Sequence, residues 1–166
     1  MPKQLFAGSV LNVHAPDSVG WVIAGVGSNG IAFAKKGSEK NETYGAQAVV
    51  FEMPATTTGE ELVEFVVKRI ATMNPPPRYR ETESGYQYTE DRGYPCVNVQ
   101  VTLDDTAAMT PSGSMLLKLQ VIAIYCRHPG QQGLGFFAAY SRRGENTIND
   151  LQVGARSYIE SVHVPK

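Results

Sequence analysis

The segments YPCVNVQVTL (94–103) and KLQVIAIYCR (118–127) constrain the fold most, because each reads as a β-strand and each holds one of the chain's two cysteines. In the first, Val97, Val99, Val101 and Leu103 share one face, and Cys96, Asn98 and Gln100 share the other. In the second, Cys126 lies with Ile124, Ile122 and Gln120, opposite Tyr125, Ala123, Val121 and Leu119. Antiparallel pairing of Val97 with Tyr125, Val99 with Ala123 and Val101 with Val121 sets Cys96 across from Cys126. At a non-hydrogen-bonded site, opposed Cα atoms lie about 4.5 Å apart, within disulfide reach. Reduced buried thiols, a metal site and a nucleophile stay open as alternatives. Three scattered histidines without a CxxC spacing make a poor zinc site. His128 follows Cys126 by two residues but precedes Pro129, and no third group orients it as a base.

A disulfide places the protein in the periplasm or outside the cell, and reduced thiols place it in the cytoplasm. The N-terminus, MPKQLFAGSVLNVHAPDS, lacks the apolar core of a signal peptide, so the exported reading expects a signal trimmed from this chain.

The remaining segments supply an antiparallel sheet and two helices. GWVIAG (20–25) and GIAFAKKG (30–37) read as a hairpin, with Asn29-Gly30 as a type I′ turn signal, and AQAVVFEMP (46–54) reads as a third strand. Thr58 and Glu61 form a capping box before a stripe of Leu62, Val66, Ile70 and Met73, which Asn74 and three prolines end. RYRETESGYQYTEDRGY (78–94) reads as a polar hairpin around Ser84-Gly85, and DDTAAMTPSGS (104–114) as a loop. MLLKLQVIAIYC and GFFAAYS are apolar on both faces, as central strands are. Thr147 caps a last helix carrying Ile148, Leu151, Ala155, Tyr158, Ile159 and Val162 at helical spacing. The expected architecture is α+β: one antiparallel sheet of about six or seven strands between two helices, over 20–166, with 1–19 as an extension.

Fifteen Lys+Arg against sixteen Asp+Glu give no basic excess for a nucleic-acid partner, and no apolar run approaches the roughly 20 residues of a transmembrane helix. GVGSNG (25–30) matches a dinucleotide fingerprint but runs into a strand, which denies it a helix N-terminus. Asp104-Asp105 lacks further calcium ligands at useful spacing. NET at 41–43 fits a glycosylation sequon by chance. No catalytic set, metal site or cofactor motif emerges.

Two surfaces remain. Tyr79, Tyr86, Tyr88, Arg92 and Tyr94 lie in a stretch rich in the residue types that anchor protein interfaces, with glutamates cancelling any field for nucleic acid. Arg142-Arg143, with His128, could hold an anion near the end of the central strands. The first points to a non-catalytic exported domain that binds another envelope protein. The second points to a binder or enzyme for small anions.

The order hairpin, strand, helix GEELVEFVVKRI, antiparallel strands and closing run FFAAYSRRGENTINDLQVGARSYIESVHV resembles the PsbP-like superfamily of small α/β/α sandwiches. The resemblance spans roughly 20–164 and implies binding or assembly, and it carries no catalytic residue across.

Overall fold

A computed structural model describes the backbone of residues 5–7 and the whole of residues 10–56 and 58–165. Chain order is β1 (Leu5–Ala7), β2 (Asn12–His14), β3 (Val22–Val26), β4 (Gly30–Lys36), β5 (Thr43–Glu52), α1 (Gly59–Met73), β6 (Tyr79–Thr89), β7 (Cys96–Thr110), β8 (Gly113–Arg127), β9 (Leu134–Gly144) and α2 (Leu151–Ser161). Seven strands form one antiparallel sheet in the order β3-β4-β5-β9-β8-β7-β6, and β1 pairs with β2 in a small second sheet. The fold is α+β, as the pattern of strands and helices predicts.

The β7–β8 ladder sets the two faces. Cys96 opposes Cys126, Val97 opposes Tyr125, Val99 opposes Ala123 and Val101 opposes Val121. The valines and Leu103 pack with Leu62, Val66 and Ile70 of α1. Cys96 and Cys126 face the other way, into a core with Phe33, Phe136, Ala155, Tyr158 and Val162. Their sulfurs lie at disulfide distance, 2.19 Å, with Cα atoms 4.1 Å apart. The α1 cap is also where the sequence puts it: Thr58 Oγ1 accepts from the Glu61 N–H at 3.1 Å.

Several local expectations are corrected. Residues 78–94 form no hairpin at Ser84-Gly85; they are one long edge strand, β6, followed by a turn. The 104–114 stretch is no loop. A bulge at Thr106 and Ala107 lets β7 resume with Ala108 opposite Met115, and only Pro111 and Ser112 turn the chain, with Gly113 at φ 108. Asp105 Oδ1 accepts the Ala107 N–H, and the Thr106 hydroxyl donates to Arg78 O at 2.7 Å, so polar residues that read as loop hold a strand.

At 26–31 the connection is wider than a two-residue turn, and neither Asn29 nor Gly30 has positive φ. The last helix begins at Leu151 after Asp150, three residues beyond the expected Thr147 cap. Part of the expected extension belongs to the core. Leu11, Val13 and Ala15 are buried there, and Asn12 exchanges backbone bonds of 2.8 and 3.1 Å with His163. A three-residue strand is too short for its alternation to show in sequence.

The Cys96–Cys126 pair gives the first prediction. Thiol labelling of unfolded, unreduced protein should modify neither cysteine. Reduction should cost about 3–4 kcal/mol of stability for a loop of this length in the chain-entropy model. Two labelled thiols in protein recovered from an oxidising compartment would contradict the pairing.

Candidate functional site

Arg142 and Arg143 are adjacent on β9, so alternation sends them to opposite faces of the sheet. Arg142 is only 1% exposed and is held by Glu42, with Nη2–Oε2 2.6 Å and Nε–Oε2 2.7 Å, and by Asn146 O at 2.5 Å. Burial would raise the Glu42 carboxyl, but the Arg142 guanidinium outweighs it and holds the carboxyl below its usual range. Arg143, on the α1 face, lies 3.2 Å from Asp105 Oδ2 through Nε, off the hydrogen-bond line.

His128 does not join them. Arg127 opposes Gly135, and Arg142 is seven residues further along β9, roughly 23 Å at strand rise. His128 Nδ1 accepts from the Gly130 N–H, which leaves Nε2 to donate to Val10 O at 2.9 Å. The anion site expected from Arg142, Arg143 and His128 together is not assembled.

The carboxylates Asp104 and Asp105 sit at the same end of the sheet, both buried and pointing to opposite faces. Asp104 takes Lys118 at 2.6 Å and Arg80 at 2.5 Å, and these bonds hold its carboxyl low against burial. Burial would raise Asp105, but bonds from Arg78 at 2.8 and 3.1 Å and from the Ala107 N–H, with Arg143 nearby, hold it low too. This cluster ties β6, β7, β8 and β9 together. Local sequence suggests only a calcium pair for the two aspartates, because their cationic partners are distant in the chain.

The tyrosines expected to form a partner surface are largely turned inward. A register shift at Thr82 brings Tyr79, Tyr86 and Tyr88 to the α1 face, where they pack against its core. The first turn of α1 rests on the Tyr88 ring so closely that a Cβ on Gly59 would come within 2.9 Å of it. Tyr79 carries the Arg78 guanidinium 5.0 Å from its ring centre, and Tyr94 meets Phe136 edge-on. Arg92 donates to Val162 O at 2.6 Å and Ile159 O at 2.7 Å. It therefore satisfies carbonyls at the end of α2, where a cation is favoured.

Two open features bear on binding. One is the β3 edge, where Val22 is 60% exposed, Val26 71%, and Ile23 and Val19 are exposed as well. The other is a groove of about 400 Å³ on the α1 face, floored by β4, β5, β9 and β8 and walled by Ile70, Met73 and Asn74. Neither followed from local sequence, since which strand becomes an edge depends on the order of all seven.

No family model matches the chain, and no curated protein matches it. Among solved structures, a point mutant of protein Mog1 matches at 12% identity and TM-score 0.56, covering 99% of this chain and 96% of that one. The chain is similar in fold to Mog1. At that identity the likeness concerns the fold alone. A second match, the human StarD13 (DLC2) lipid transfer and protein localization domain, has 14% identity, coverage of 86% and 84%, and TM-score 0.34. The PsbP-like assignment read from element order is corrected accordingly: no family model supports membership, and the comparison with Mog1 replaces it with a likeness of fold.

Two predictions come from this geometry. The folded carboxyls of Asp104 and Asp105 titrate below their unfolded values near 3.9. The stability they supply is therefore present above about pH 4 and is lost as pH falls through the lower folded values. Asp105→Asn should cost about 1–3 kcal/mol near neutrality and flatten that acid limb. An unchanged limb in urea titrations across pH would contradict the assignment. Tyr86→Ala with Tyr88→Ala should lower stability by about 2–4 kcal/mol, less than for fully buried rings. An unchanged melting temperature would show the rings to be free.

Proposed function

We propose that this chain is a non-catalytic protein-binding domain that takes an extended segment of a partner onto the free edge of β3. The partner is another envelope protein, and the compartment is the periplasm or cell exterior. The observation that carries the reading is β3 itself. It is an outer strand of the sheet, exposed along its whole length, and its sequence VIAGV has neither a charge nor a proline. Edge strands are ordinarily guarded by charges, prolines, bulges or a covering element.

The opposite edge, β6, is guarded in this way. It presents Arg80, Glu81 and Glu83, is interrupted at Thr82, and has its rings tucked under α1. On β3 the register shift between Ile23 and Gly25 has another effect. It puts Ile23, opposite Phe33, and Val26, opposite Ile31, on one face, so two exposed apolar side chains stand together. Trp21, buried with its Nε1–H donating to Ser18 Oγ at 2.8 Å, anchors the base of the strand. An uncharged edge of this kind suits strand addition, in which main-chain bonds supply affinity and alternate side chains supply selectivity. The cysteine pair at disulfide distance supports the oxidising compartment.

A displayed library of extended peptides tests the reading. Selected peptides should alternate apolar residues and should slow amide exchange at residues 22–26. Ile23→Lys with Val26→Lys should abolish binding while shifting stability by only about 0.5–1 kcal/mol. Peptides that protect a different surface, or that bind the double variant equally well, would overturn it.

A further inference from the structure

The α1 face of the sheet is covered unevenly. The helix lies over β6 and β7, and beyond it small side chains form the floor of the open groove. Two cross-strand rows define that floor: Ala34, Gly45, Ser141 and Val121 stand abreast, and so do Ala32, Gln47, Ala139 and Ala123. Small residues in both rows sink the surface, and the larger Val49, Phe137 and Tyr125 of the next row close one end. The other end is cationic. There Lys36, Thr43 and Arg143 are in register, which sets Lys36 and Arg143 roughly 10 Å apart across two strand spacings.

Lys36 is exposed and joins no ion pair among the described residues. Arg143 buries its Nε beside Asp105, but its side chain is 32% exposed. On this face Arg78 and Arg143 share a single buried carboxylate, Asp105, so the end of the groove retains an excess positive charge.

We propose that this groove binds a small amphipathic monocarboxylate, with its apolar chain along the Ala32–Ala34 floor and its carboxylate between Lys36 and Arg143. A volume of about 400 Å³ is within the range of small-molecule sites, which are mostly apolar with a few converging polar groups. Charge decides the head group, since a carboxylate adds net Coulomb attraction to the bonds it accepts from both cations, whereas a neutral hydroxyl accepts without that attraction. The site is separate from the proposed strand-addition surface, because Ile23 and Val26 face the other side of the sheet.

Decanoate, kept below its micellar concentration, is the probe, and amide chemical shifts of the labelled full chain are the readout. One-to-one binding is expected, with shifts confined to the groove lining on β4, β5, β7, β8 and β9 and to the end of α1. Decanol should bind about tenfold more weakly, and Lys36→Gln, an exposed change, should weaken decanoate by a similar factor. Ala34→Leu should fill the floor and remove binding. Absence of decanoate shifts, shifts elsewhere on the molecule, equal binding of decanol, or full binding by Lys36→Gln would each overturn the proposal.

Discussion

Two helices of fifteen and eleven residues cannot cover both faces of a seven-stranded sheet. Seven strands at 4.8 Å spacing span about 30 Å, whereas a helix with its side chains is about 10–12 Å across. Some of each face and both edges must therefore be finished by other means, and the differences in finish determine where the molecule can act. On the α2 face, the β2 segment fills part of the deficit with Leu11, Val13 and Ala15. On the α1 face, nothing among the described residues lies over the small residues of β4 and β5, and the groove results.

The charged residues follow the same logic. Most of the strong cations that a sequence reader would assign to ligands are committed to joining strands: Arg142 to Glu42, Arg78 to Asp105, and Arg80 and Lys118 to Asp104. Buried carboxylates with cations on neighbouring strands fix the register at the end of the sheet where β7 is interrupted. Removing one partner would strand the others in a poorly solvated place. The arginines thus stabilise the sheet, and the β3 edge carries no charged side chain of its own.

Much of the fold was legible because it was written locally. The alternation of valines around Cys96, the apolar run before Cys126 and the Thr58–Glu61 cap each act within one element, and each emerges where its pattern places it. What stayed illegible depends on remote partners. The 104–114 stretch has the composition of a loop, yet its aspartates are saturated by Arg78, Arg80 and Lys118, so it can run on as strand. In β6, one inserted residue at Thr82 brings Tyr79 to the same face as Tyr86 and Tyr88, which makes a polar-looking segment half core. Arg142, Arg143 and His128 are close in sequence, but antiparallel pairing separates them along the strands.

The β3 edge and the α1-side groove are open, while the rings of Tyr86 and Tyr88 are half-buried against the α1 core. Solvent paramagnetic relaxation of the free, labelled protein measures this directly. Strong relaxation is predicted at β3 amides not bonded to β4 and at the methyl groups of Val22, Val26, Ala32 and Ala34, with weak relaxation at the rings of Tyr86 and Tyr88. Protected β3 amides together with strongly relaxed β6 rings would contradict it.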